Sequence, residues 1–347
     1  MLKYITRRII GDECKQDAVF GSIDIWGIKM KVKFWGVRGS IPTPLSNEVI
    51  RHKITRALSL ASPKDIASEE SIESFVHSLP LSIAGSYGGN TTTLEVRNKY
   101  DDLIIIDCGT GIKHLGNELL KGEFGRGEGT GTILLTHTHW DHIQGIPFFG
   151  PFYVPGNKFN IYSPYKDIKD RVEYQQVFTH FPINLEYMLA EKEFFILDKE
   201  GELFLNDMRI MNKSMRHPGG SFGFRFEEDG KKFVFTSDCE FNIDEFDKID
   251  SYRDFFQDAD VCVFDTQYTF EESINKIDWG HSSASIAIDV ATMFNVKKLI
   301  LFHHEPDYND EKLDAVLSNA KSYINMNTRK RGKLEIGIAY EGLELDI

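Results

Sequence analysis

Thr136-His137-Thr138-His139-Trp140-Asp141-His142 follows directly on the apolar run Thr132-Ile-Leu-Leu135. A short β-branched and aliphatic run of this kind reads as a buried strand, and the polar stretch after it as a loop leading into a helix. Four potential ligands, His137, His139, Asp141 and His142, fall within six residues. On a strand-to-helix loop they can converge on one point, and imidazole nitrogens with carboxylate oxygens suit Zn²⁺ and similar ions. A solvated polar loop is the plain alternative, and the density of histidine speaks against it. Position 139 bears on the chemistry, since a Glu there would favour a di-iron oxygen site whereas His favours hydrolysis.

Outward from this loop the chain repeats one pattern, an apolar run that ends on a polar residue. Ile104-Ile-Ile106 leads to Asp107, Lys232-Phe-Val-Phe235 to Thr236-Ser237-Asp238, Val261-Cys-Val-Phe264 to Asp265, and Lys298-Leu-Ile-Leu-Phe302 to His303-His304. Met215-Arg216-His217-Pro218-Gly-Gly220 puts a further His in a turn. The ends of strands are where α/β proteins place their chemistry. Singly, a His or Asp at such a place is usually a cap or a satisfied polar group; together with the first cluster, His217, Asp238 and the His303-His304 pair suffice for two ions.

The bulk composition bounds the partners. The 347 residues, 41% hydrophobic, can bury one large core or two modest ones. A net charge of −13, from 40 Lys plus Arg against 53 Asp plus Glu, has the wrong sign for gripping a long nucleic acid by its phosphates. A small anionic substrate stays compatible, because metal ions supply local positive charge. Cys14, Cys108, Cys239 and Cys262 are scattered without C-x-x-C spacing and read as structural thiols in a reducing compartment. No run approaches the roughly 20 apolar residues that span a membrane, and the N-terminus lacks the features of a signal peptide, so the expectation is a soluble, cytoplasmic protein without a membrane partner.

Residues 1–29 are mixed in character and read as an N-terminal appendage, with the folded domain, 30–347, starting at the strand-like Lys31-Val-Lys-Phe-Trp-Gly36. Two stretches break the pattern as expected insertions, 45–86 with amphipathic pieces near Ile50–Leu60 and Ile72–Leu79, and 149–195, rich in Tyr, Phe and Pro. They read either as surface decoration or as a lid or dimer surface.

Gly36-Val-Arg-Gly-Ser-Ile-Pro-Thr-Pro44, Tyr87-Gly-Gly-Asn-Thr91, Ile106-Asp-Cys-Gly-Thr-Gly111, the His cluster and Trp279-Gly-His-Ser282 together resemble the metallo-β-lactamase superfamily. Within it they resemble the phosphodiesterase branch, which includes Z-type tRNA-processing endoribonucleases, phosphoribosyl cyclic phosphodiesterases and enzymes that cleave 3′,5′-cyclic nucleotides. The resemblance spans about residues 31–345. It implies an α/β fold, a four-layer αββα sandwich as a single domain, and two divalent metal ions, Zn first with Mn or Fe as alternatives. One ion would take His137, His139 and His217, the other Asp141, His142 and His303, with Asp238 between them; His304 stays open as an alternative to His303. Asp107 would orient a ligand His through a hydrogen bond, although a helix N-cap for Ile112–Leu120 explains it nearly as well. A homodimer is likewise implied.

In the phosphodiesterase branch the His at the place of His281 acts as general acid, which an imidazole can do near neutrality. The implied mechanism is attack by a metal-bridging hydroxide oriented by Asp141, with His281 protonating the leaving alkoxide. The acidic charge and the lack of a long Lys/Arg-rich Gly arm point to a small phosphodiester, a 3′,5′-cyclic nucleotide foremost, rather than a long nucleic acid. Gln267 and Tyr268, near the His281 loop, are candidates to touch the substrate, as are Phe178 and Phe181 in the aromatic stretch Tyr174–Pro182. The competing readings are a phosphoribosyl cyclic phosphate phosphodiesterase or RNA-processing nuclease, a glyoxalase II-like thioesterase, a β-lactamase, and a non-catalytic metal-binding scaffold. The thioesterase does not account for Gly280-His281-Ser282, the β-lactamase lacks a secretion signal, and a scaffold would be expected to have lost ligands.

Overall fold

Neighbouring residues of the central strands bury opposite faces, and this decides the architecture. The computed structural model describes residues 29–242, 246–326 and 334–347. Six strands come first: β1 (Lys31–Gly36), β2 (Thr93–Arg97), β3 (Leu103–Ile106), β4 (Thr130–Leu134), β5 (Lys158–Ser163) and β6 (Glu191–Ile196). Seven follow: β7 (Glu202–Leu205), β8 (Met208–Met215), β9 (Ser221–Glu228), β10 (Lys231–Phe235), β11 (Val261–Asp265), β12 (Lys298–Phe302) and β13 (Glu335–Ile338). The last, β14 (Glu344–Asp346), returns to the first group. Among the described residues they form two seven-stranded sheets, ordered β14-β1-β2-β3-β4-β5-β6 and β13-β12-β11-β10-β9-β8-β7.

Ile104 and Ile106 join Phe224, Phe226, Phe233, Phe235, Ile300 and Phe302 in a core between the sheets. Leu103 and Ile105 face the other way, into a second cluster with Ile112, Leu115 and Leu119 of the helix Ile112–Leu119. Val234, Cys262, Phe264, Leu299 and Leu301 form a third with Ala287, Ile288, Val290 and Ala291 of the helix Ala284–Met293. Three apolar interfaces separate four layers, αββα, as expected. Strands buried on both faces carry no polar alternation, which is why they appear in the sequence as continuous apolar runs.

Strands β3 to β6 are parallel, as are β10 to β13, so the ends of β3, β4, β10, β11 and β12 reach the same edge of the sandwich. Strand β8 runs antiparallel to β9 and so ends there too. Asp107, Ser237 and His303, at or next to these ends, adopt left-handed backbone (φ 58°, 56° and 63°), which turns the chain sharply out of the sheet. Such strained positions persist only where the surroundings hold them.

Residues 149–195, expected as an insertion, hold β5 and nearly all of β6, the last two strands of the first sheet, of which β6 lies at the edge and is mostly exposed. Residues 45–86 form the helices Asn47–Leu60 and Glu69–Ser78, capped by Ser46 and Ser68, neither of which buries a residue, and a short third one, Leu81–Ala84. The expected appendage falls on residues 1–29, of which 1–28 lie outside the described residues. No helix among the described residues is long and apolar enough to cross a membrane. Cys108, Cys239 and Cys262 are free and buried.

Candidate metal centre

The loop after β4 carries its side chains to two sides. His137, Asp141 and His142 turn into the interior while His139 stays exposed at the mouth. The turn Trp140–Ile143 places Asp141 and His142 on its buried side. Chain segments from the second sheet then bring His217, Asp238 and His303 to the same place. The donor atoms of His137, His139, His217 and Asp238 all lie within 4.8 Å of one another, as do those of Asp141, His142, Asp238 and His303. Asp238 belongs to both groups: its Oδ2 is 3.5 Å from His137 Nε2 and its Oδ1 is 3.1 Å from His142 Nε2 and 3.2 Å from His303 Nε2.

His137 Nε2, His142 Nε2 and Asp238 Oδ1 are buried and make no hydrogen bond. Buried polar atoms are rarely left so, and an orphaned group costs on the order of 1–3 kcal/mol. Three such atoms meeting at one point, with both imidazole and carboxylate donors, fit divalent metal ions. The electrostatics agree. Burial and the charge on His142 hold the His137 imidazole well below its ordinary pKa, in the neutral form that ligates. Burial opposes charge on His303, but the carboxylates of Asp238, Asp141 and Asp265 outweigh it and lift its pKa to about 9. Burial also opposes the Asp141 carboxylate, yet His142 and His303 keep it well below the usual range. Excess negative charge of this sort calls for cations, protons or metal.

Hydrogen bonds behind the cluster aim each ring. Asp107 Oδ2 accepts from His142 Nδ1 at 2.7 Å and from Thr136 Oγ1 at 2.7 Å, and Oδ1 accepts from the Thr136 N–H at 2.8 Å. It caps no helix, since Gly111 occupies the N-cap of Ile112–Leu119. His217 Nδ1 donates to the Gly280 carbonyl at 2.9 Å. His303 Nδ1 donates to Gln267 Oε1 at 3.1 Å, while Gln267 Nε2 donates to Glu305 Oε2 at 2.6 Å. Gln267 therefore supports a ring from behind instead of facing a substrate, contrary to expectation, because strand β11 ends beneath the cluster. Tyr268 is buried too, edge-on to His281 at 5.5 Å with Lys276 Nζ 4.0 Å over its ring. His304 points away: its Nε2 donates to the Ala339 carbonyl at 2.8 Å, and burial beside Arg38 depresses its pKa to about 3.

His281 lies between the two groups of donors, its ring 5.2 Å from that of His217 and 5.0 Å from that of His303. Asp265 Oδ2 accepts from its Nδ1 at 2.7 Å. Glu240 holds the loop in place, accepting from the Asp278 N–H at 3.2 Å and the Gly280 N–H at 2.9 Å. Sequence reasoning missed both carboxylates. Asp265 had a signal, since it ends an apolar run as Asp107 does; Glu240 had none. Of the aromatic candidates, Phe181 packs edge-on against Phe148 at 5.6 Å, whereas Phe178 is exposed.

Comparison with known proteins accords with this geometry. The family model described as "Beta-lactamase superfamily domain" matches residues 103–304. A ribonuclease Z of Oceanobacillus iheyensis is 23% identical over 289 residues, 67% of this chain and 88% of that protein. The metallo-β-lactamase fold protein YhfI of Bacillus subtilis superposes with a TM-score of 0.60 at 17% identity, covering 92% of this chain and 99% of YhfI. The short form of human tRNase Z superposes with a TM-score of 0.56 at 17% identity, covering 91% and 99%. The chain belongs to the β-lactamase superfamily domain family, and with it to the metal-dependent hydrolases of the metallo-β-lactamase fold.

Proposed function

We propose that this chain is a two-metal phosphodiesterase acting on a small phosphodiester, a 3′,5′-cyclic nucleotide foremost. His137, His139 and His217 would hold one divalent ion and Asp141, His142 and His303 the other, with Asp238 shared. Ions so held make a nucleophile available from water at neutral pH and stabilise the attacking and leaving oxygens of a diester. The donor set suits zinc first, with manganese or iron as alternatives.

The observation that carries the reading is His281. Its Nδ1 donates to Asp265, so its Nε2 is the atom left to hold and release a proton beside both donor groups. A leaving alkoxide needs that proton; a thiolate leaving group, as in a thioester, does not. Asp141, whose Oδ2 also accepts from the Ser40 N–H at 2.7 Å, would orient the nucleophile. The net charge of −13 supports a small substrate over a long nucleic acid.

A second reading, RNA processing, is favoured by the relatives named ribonuclease Z, and it stands against the expectation of no nucleic-acid partner. The experiment that separates them is hydrolysis by metal-reconstituted protein of the four common 3′,5′-cyclic nucleotides, a ribosyl 1,2-cyclic phosphate, a tRNA precursor and a thioester. Metal-dependent cleavage of the cyclic nucleotides is expected. Cleavage of the tRNA precursor alone would favour the second reading, and of the thioester alone would leave the role of His281 without support.

A further inference from the structure

A groove of about 730 Å³ runs along the outer side of the ligand loop, bounded by Thr138 and Trp140, which alternate there with His137, His139 and Asp141. That volume is within the range of small-molecule sites. Four aromatic rings line it, from Trp140, Phe148, Tyr174 and Phe181. Trp140 is 81% exposed, Tyr174 69% and Phe148 57%. Three large rings left to solvent in one place mark a surface that binds something.

Arg171 lies in the wall of the groove and ties it to the metal centre. Its Nη1 donates to Thr138 Oγ1 at 3.2 Å, and its guanidinium lies 4.0 Å over the ring of Tyr165. The Tyr165 hydroxyl donates to the Gly219 carbonyl at 3.3 Å, and a Cβ at Gly219 would stand 3.6 Å from His139 Nε2. The groove is thus linked to the exposed ligand through Arg171, Tyr165 and Gly219, and its lining residues Thr138 and Trp140 flank His139 in the chain. Gln175, also in its wall, donates from Nε2 to the Ile143 carbonyl at 2.8 Å, which ties the helix that carries Arg171 and Tyr174 to the ligand loop.

We propose that this groove is the base-binding subsite, in which the nucleobase of the substrate stacks on the aromatic rings while Arg171 stands by its sugar-phosphate end; the proposal rests on the phosphodiesterase reading. Each base has a π-face, and Trp, Tyr and Phe rings bind it with little regard to sequence. A planar guanidinium favours phosphate, and that of Arg171 would meet it alongside the Asp167 carboxylate, which accepts from its Nε at 3.0 Å.

The test uses the full chain. Tyr174→Ala and Phe148→Ala alter exposed side chains, so both should fold. In the metal-loaded protein each is expected to raise the KM for 3′,5′-cyclic nucleotides, relative to that for methyl 4-nitrophenyl phosphate, by roughly tenfold. In a second arm the metal-free protein is titrated with a nucleoside 5′-monophosphate, which is expected to quench the fluorescence of Trp140; ribose 5-phosphate should not, and Trp140→Phe should abolish the response. An unchanged KM ratio in both variants, or equal responses to the two phosphates, would overturn the proposal. So would variants that change only the oligomeric state, which would make the groove a protein contact. Failure of the parent protein to cleave any cyclic nucleotide would count against the phosphodiesterase reading, and the titration would still decide whether the groove takes a base.

Discussion

Asp265 Oδ2 lies 2.7 Å from His281 Nδ1 and also accepts from the Cys239 N–H at 3.0 Å. The carboxylate is itself fixed by the backbone, so it fixes the imidazole in turn, and the ring presents one nitrogen to the centre. Asp107 holds His142 in the same way, and His281 also falls in a third group of possible donors with Asp238, Asp265 and His303, so metal content separates proton transfer from metal binding. His281→Ala should retain its metal and lose about 10²–10⁴-fold in turnover of diesters with alkoxide leaving groups. With a nitrophenolate leaving group, which needs no proton, the loss should be much smaller. Equal losses on the two substrates, at equal metal content, would count against general acid catalysis.

Asp107 is completely buried and serves His142 and Thr136 together. In Asp107→Asn the amide cannot accept from all three donors at once. Metal affinity should fall about 10- to 100-fold while the fold persists. Competition with a chelator measures the first and circular dichroism checks the second.

Two glycines stand against opposite sides of the centre. A Cβ at Gly39 would come 2.5 Å from His303 Cε1, and one at Gly280, where φ is +91°, would come 2.2 Å from His217 Nδ1. Gly39→Ala should displace His303 and weaken one ion, and Gly280→Ala should displace His217 and weaken the other. Metal analysis after dialysis is expected to show one retained equivalent in each variant, and two retained in either would contradict the assignment.

His304 supplies a pH dependence. Burial beside Arg38 holds its pKa at about 3 in the fold, against 6.5 ordinarily. Below pH 6.5 the unfolded chain takes up a proton that the folded chain refuses, so stability falls as pH drops from 6.5 towards 3. At pH 5 the loss is about 2 kcal/mol. Urea unfolding of metal-free protein should therefore lose less stability between pH 7 and pH 5 in His304→Gln than in the parent chain; identical slopes would contradict it.

The first cluster was legible because its ligands are neighbours in the chain, so their convergence needs only one loop. His217, Asp238 and His303 were legible as polar ends of apolar runs, with the resemblance to order them. The place of Gln267 could not be read for the same reason that Asp265 was missed. A side chain near a site in sequence can face a substrate, a ligand or the solvent, and the choice lies in packing that no local pattern records. The stretch 149–195 misled because β5 alternates buried and partly exposed residues and the edge strand β6 is mostly exposed, so neither shows the apolar continuity of β3 or β4.

By itself the sequence determined which strands are buried on both faces, where the chain leaves them, and that nitrogen and oxygen donors gather at those exits. These follow from residue type and spacing alone. Only the tertiary structure decided that His303 and not His304 joins the cluster, because a left-handed turn at the end of β12 sends one ring inward and the next to the Ala339 carbonyl. It likewise decided that Asp265 serves His281, that Gln267 stands behind His303, and that an aromatic groove is lined by Thr138 and Trp140 of the ligand loop. Each depends on strands far apart in the chain meeting in register, which is settled by the packing of the two sheets.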